Sequence, residues 1–120
     1  MARVDLHEVW VVGIDPQTVE NKLFSFVHEH GMTVEKHLSG QFFWVKQGSQ
    51  IKTRLLGGMF VKPEVLPKKA IIQLSQTANG VQLDVKIEES MGFGSIMGMK
   101  QRYQDYFSYW MAALKQILPQ

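Results

Sequence analysis

The sequence contains no cysteine. That excludes disulfide staples, thiolate nucleophiles and cysteine metal sites, and it is compatible with a reducing cytoplasm. A leader is not expected either: Met1-Ala2-Arg3-Val4-Asp5 meets charge at once and has no apolar run ending in a small-residue cleavage site. Long hydrophobic runs are missing. Lys52, Arg54 and Lys62 interrupt the centre of the chain, and the apolar stretches fall well short of the roughly 20 residues that a spanning helix needs. A soluble, cytoplasmic chain with no transmembrane segment is therefore expected. An excess of one charge is lacking as well, since thirteen basic residues against eleven acidic ones leave a formal net charge of +2. The basic residues are scattered, with Glu88, Glu89 and Asp105 among them. Nucleic-acid surfaces concentrate their cations in a stripe, so no nucleic-acid partner is expected.

What is present fits one domain. A chain of 120 residues is near the commonest domain size, and a second core would be too small to stabilise itself. From Leu6 to Val12 the residues are rich in β-branched and aromatic types and stop at Gly13, which predicts a first strand. Asp15 then offers a carboxylate to free backbone N–H groups, and Pro16 fits the first helical position, where no donor is needed. Val19, Leu23, Phe26 and Val27 follow at helical spacing and Gly31 supplies the stop, so a helix over about 16–30 is predicted.

Between Met32 and Glu89 the pattern changes to alternation, broken at Ser39-Gly40, Gln47-Gly48-Ser49, Gly57-Gly58 and Asn79-Gly80. Five strands fit that span. In the clearest, Val81, Leu83, Val85 and Ile87 share one face and Gln82, Asp84, Lys86 and Glu88 the other. Ile51, Thr53 and Leu55 alternate with Lys52 and Arg54, Ala70, Ile72 and Leu74 continue the same sense, and Asn79-Gly80 predicts a tight hairpin. Gly57 to Pro67 reads as a long ordered loop. Beyond it, Met99, Tyr103, Tyr106, Phe107, Trp110, Leu114, Ile117 and Leu118 recur at three- and four-residue steps, which predicts a C-terminal amphipathic helix over about 96–118. The expected fold is α+β: an antiparallel sheet of about six strands packed by two helices, in the order β-α-β(5)-α.

This order resembles the helix-grip architecture of the START and Bet v 1-like superfamily, or a compact relative of the same plan. Trp10 falls in the opening strand, Val81 to Glu89 forms the last strand, and Tyr103 to Leu118 makes the gripping helix. One helix at Asp15 to His30 stands where many members carry two smaller ones. The resemblance implies a curved sheet wrapped around the last helix, with a hydrophobic small molecule or lipid held between them. Fold analogy says where a site lies and little about its chemistry.

On that basis the expected ligand-binding residues are Arg54, Leu55, Phe60, Glu89, Met91, Phe93, Met97, Tyr103 and Phe107. Glu89 lies on the inward phase of its strand, where a carboxylate facing Arg54 or Tyr103 would anchor a polar group or serve acid/base work. The plainer expectation is a solvated Glu89 at a failing strand end. Methionines such as Met91, Met97 and Met99 line adaptable pockets, but they more often fill irregular core gaps. Phe42, Phe43 and Trp44 put aromatics on both faces of one strand. Phe42 and Trp44, or else Phe43, would then face outward, either displayed as a homodimer or protein-partner surface, which gives a second functional reading, or buried under the loop from Gly57 to Pro67.

No cofactor, metal or catalytic constellation is expected. His28 and His30 diverge by about 200 degrees on a helix, and the position near a helix C-terminus accounts for their imidazoles. The run from Gly92 to Gly98 follows a strand and precedes a helix, but matches neither the dinucleotide fingerprint nor a Walker loop. No Gly-x-Ser-x-Gly elbow occurs. A hydrolase or cyclase centred on Glu89 and Arg54 is the third reading, behind ligand binding and protein interaction.

Overall fold

The computed structural model describes residues 4–48, 66–90 and 99–120. Strand β1 (Asp5–Val12) leads into helix α1 (Pro16–Glu29), followed by β2 (Thr33–Leu38), β3 (Phe42–Gln47), β4 (Lys68–Thr77), β5 (Gly80–Glu89) and helix α2 (Met99–Ile117). All neighbours in the sheet are antiparallel, in the order β1-β5-β4-β3-β2. The opening strand thus pairs with the last one, and α1 carries the chain across to the opposite edge. The class is α+β as expected, but the strand count needs correcting: the described residues form five strands rather than about six. The strand expected at Ile51 to Leu55 lies outside the described residues, as does most of the loop expected from Gly57 to Pro67.

The cap of α1 follows the sequence closely. The Asp15 carboxylate accepts from the Thr18 backbone N–H at 3.0 Å and from the Thr18 hydroxyl at 2.6 Å, which holds its pKa below the usual 3.8. At the other end Gly31 turns with φ +68, and the Met32 N–H donates to the Val27 carbonyl at 2.9 Å, which satisfies an orphan carbonyl.

The β4–β5 hairpin is one residue out of the expected place. Thr77 and Gly80 are the closing pair, so Ala78 and Asn79 form the tip. Gly80 takes φ +139, and a Cβ there would lie 2.0 Å from the Val12 carbonyl oxygen of β1. Only glycine lets the hairpin meet the first strand at this point.

Both helices cover one face of the sheet. That face is built from Trp10 and Val12, Val81 to Ile87 at every second position, Ala70, Ile72 and Leu74, and Phe43 and Val45, all buried. Helix α1 buries Val19, Leu23, Phe26 and Val27, while α2 buries Tyr103, Phe107, Trp110 and Leu114 among others. The helices meet edge to face at Phe26 and Trp110, whose ring centres are 5.3 Å apart. The indole N–H groups find partners, as buried tryptophans require: Trp110 donates to Met32 Sδ at 3.3 Å, and Trp10 to the Leu118 carbonyl at 2.8 Å. No helix among the described residues is long and apolar enough to cross a membrane.

Candidate functional site

Following the inward positions of the three central strands to one end of the sheet gives a polar row. After Val45, Ala70 and Ile87 the next inward residues are Gln47, Lys68 and Glu89. Gln47 is the register partner of Lys68, and Lys68 is the register partner of Glu89. Their exposures are 8%, 1% and 1%. The strand does not fail at Glu89: its N–H donates to the Val4 carbonyl at 3.0 Å, and the next residue, Ser90, donates to the Pro67 carbonyl at 3.0 Å. The alternation therefore runs to the last residue and turns this carboxylate inward, which corrects the expectation of a solvated Glu89.

Helix α2 lays two tyrosines over the row. The Tyr103 hydroxyl donates to the Pro67 carbonyl at 3.0 Å, and the Tyr106 hydroxyl donates to Gln47 Oε1 at 2.9 Å. The Lys68 ammonium donates to that same oxygen at 3.3 Å and lies 4.4 Å from the centre of the Tyr106 ring. On its other side the Gln47 amide donates to the His30 carbonyl. With two donors on its oxygen and an acceptor on its nitrogen, the amide has one workable orientation, and it holds Lys68 in place. Burial pushes the Tyr103 hydroxyl up from 10.0, the charge of Glu89 pushes further in the same direction, and Arg102 opposes them in part. Tyr103 is thus a neutral donor throughout the physiological range.

Removing an ammonium and a carboxylate from water costs several kcal/mol per ion even after relaxation, and a well-packed apolar pair in their place is often as stable or more so. Charge retained at such a position points to a task other than stability. Two members of the row, Gln47 and Lys68, border a cleft of about 380 Å³ at the strand ends, whose lining also includes Glu35, Lys46, Lys69 and Ser90. That volume is within the usual range for small-molecule sites.

A second buried carboxylate is differently placed. Glu20 of α1 accepts from the Gly40 N–H at 2.7 Å, from Ser39 Oγ at 3.0 Å and from His37 Nε2 at 3.1 Å. Burial alone would raise its pKa, but Gly40, His37 and Ser39 together outweigh it and hold the group below the usual 4.5. This is a clasp between α1 and the β2–β3 turn.

Of the residues singled out in the sequence, Glu89 and Tyr103 come together at the row, and Phe107 packs 5.6 Å from Tyr103, ring centre to ring centre. Arg54, Leu55, Phe60, Met91, Phe93 and Met97 lie outside the described residues. Phe42 and Trp44 are on the outer face, Trp44 39% exposed beneath the Lys36 ammonium. Sequence reasoning missed Gln47, Lys68, Tyr106 and the Glu20 clasp. A signal for the first two existed: one step of two residues beyond Val45, and one step back from Ala70, arrive at them.

No protein-family model matches the chain, and no curated protein matches it in sequence. Among solved structures, the crystal structure of protein MLL2253 from Mesorhizobium loti matches with a TM-score of 0.63 at 9% identity, over 95% of this chain and 96% of that one. Protein NE0264 from Nitrosomonas europaea matches at a TM-score of 0.48 and 11% identity, over 96% of this chain and 94% of that one. The solution structure of KanY protein gives a TM-score of 0.45 at 13% identity and covers both chains in full, 100% of each. The sheet order, the spanning α1 and the C-terminal helix across the covered face define an α+β fold of one antiparallel sheet and two helices. The MLL2253 likeness bears on the fold alone.

Proposed function

We propose that the chain is a small-molecule binding module of the helix-grip kind, a compact relative of the START and Bet v 1-like superfamily. It holds a hydrophobic molecule or lipid whose polar end reaches the Gln47, Lys68 and Glu89 row beneath Tyr103 and Tyr106. The observation that carries this reading is the pairing, in direct register, of a lysine and a glutamate each 1% exposed on an otherwise apolar face. An interior whose only role is to be solid is better served by apolar residues there. The adjoining cleft of about 380 Å³ supplies the entry that a ligand needs. Native mass spectrometry of the gently purified protein, alone and after incubation with decanol, tests the reading. A one-to-one small-molecule adduct is expected in at least one of the two samples, and a bare chain in both overturns it.

A second reading is favoured by the outer face. Leu38 is 48% and Trp44 39% exposed, with Phe42 between them and all three on the side away from the helices, next to β2, the edge strand among the described residues. An apolar patch beside a strand that is at the sheet edge among the described residues suits a second copy or another protein. Sedimentation of wild type and Trp44→Ser separates the readings: a dimer abolished by the substitution favours association, and a monomer in both removes it as self-association.

A further inference from the structure

We infer that the cleft at the ends of β3 and β4 reads a carboxylate, so that the molecule held by the grip is amphipathic and anionic, with Lys68 as the residue that recognises its charge. This rests on the binding-module reading and names its ligand class.

The charge lining the cleft is one-sided. Among the described residues, Lys46, Lys68 and Lys69 line it against the single carboxylate of Glu35. The three lysines are not equivalent. Lys46 is engaged by Glu35 at 3.0 Å and Lys69 by Glu88 at 3.2 Å, and both side chains are about half exposed, at 59% and 48%. Water and salt screen such groups, so they draw an anion toward the mouth and hold it weakly. Lys68 is 1% exposed. An ion pair formed there is in a low-dielectric setting and is correspondingly strong.

The surroundings of Lys68 fix its direction. Gln47 Oε1 and the Tyr106 ring position the ammonium, and the Gln47 amide is itself locked by Tyr106 and His30. Ser90 on the cleft wall is a further hydroxyl donor for a carboxylate, whose two oxygens accept several hydrogen bonds. Glu89 sets the limit on charge. It is the register partner of Lys68, and its negative charge is already felt in the row, at Tyr103, so a singly charged carboxylate is tolerated where a doubly charged phosphate monoester meets repulsion. A neutral hydroxyl head group gains only an uncharged hydrogen bond.

The test compares two probes of equal chain length, decanoate and decanol, by isothermal titration calorimetry on the intact protein at neutral pH. Decanoate is expected to bind about tenfold more tightly than decanol, the difference between charge-assisted and neutral hydrogen bonding. In Lys68→Met that preference is expected to vanish, while Lys22→Gln, altered at an exposed side chain of α1 that does not line the cleft, is expected to change it by no more than about twofold. Equal affinity for the two probes in wild type overturns the inference and leaves the binding module standing. Binding of neither probe removes both. Since the wild-type comparison decides by itself, the outcome does not depend on whether Lys68→Met folds.

Discussion

Two glutamates buried among the described residues, Glu20 and Glu89, stand at 5% and 1% exposure and differ in almost everything else. Glu20 is surrounded by donors from one short stretch, His37, Ser39 and Gly40, and its task is complete once those are satisfied. Glu89 has an ionisable residue, Lys68, as its register partner and a second, Tyr103, within electrostatic reach, and its row adjoins a cleft. The first carboxylate ties a helix to a turn. The second belongs to a group of side chains that can respond to something outside the protein. Burial alone is therefore a poor guide to function, and the chemistry of the neighbours separates the two cases.

The comparison is broken most severely at Lys68. Lys68→Met leaves Glu89 buried without its register cation, and a loss of about 3–5 kcal/mol in urea unfolding is expected. The double variant Lys68→Met/Glu89→Leu is expected to recover stability to within about 1 kcal/mol of wild type or to exceed it, as charge-to-apolar replacements often do. No such rescue exists for the clasp. Glu20→Ala strands the Gly40 N–H, which proline alone could remove and cannot at a φ of +77, and a loss of about 2 kcal/mol is expected by the same measurement. A double variant at the row that stays as unstable as the single one would make the row a structural clasp as well.

The pH dependence sharpens the contrast. Because the folded pKa of Glu20 lies below the ordinary value of 4.5, its ionised form is favoured by folding. That contribution is present in full above about 4.5 and is lost as the pH falls through the lower folded value. The stability gap between wild type and Glu20→Gln is thus expected to narrow on acidification below that point. Tyr103 has the opposite sign. Its pKa is raised from 10.0, so the neutral hydroxyl contributes fully below that pH and its contribution is lost as the pH rises through the folded value. Tyrosinate absorbance is expected to show a late-ionising component that is reduced in Tyr103→Phe. The smallest effect is expected on the outer face, where Trp44→Ser should change monomer stability by about 0.5 kcal/mol or less.

How much of this was legible depended on whether a residue obeyed or interrupted a pattern. Asp15, Pro16 and Gly31 mark α1 because capping chemistry is local, and the alternation of Val81 to Ile87 displays β5 without help from the rest of the chain. The outward and inward sides of Phe42, Phe43 and Trp44 stayed open because three consecutive aromatics fit either phase, and the register with Ile72 and Ala70 decides it. Glu89 stood out on the inward phase of its strand, but Gln47 and Lys68 were hidden for a different reason. Each is a polar residue at the end of an apolar alternation, where composition reads a strand terminus, and only pairing across three strands shows them to be one row. The Glu20 clasp joins residues about twenty positions apart in the chain, a distance that no helical or strand period spans.

The central claim is that the row faces a ligand. Native mass spectrometry of wild type beside the charge-balanced variant Lys68→Met/Glu89→Leu, both incubated with decanoate, puts it to the test most directly. The account predicts a one-to-one decanoate adduct on wild type and a marked loss of it on an equally well folded variant. The same adduct on both proteins, or on neither, would contradict it.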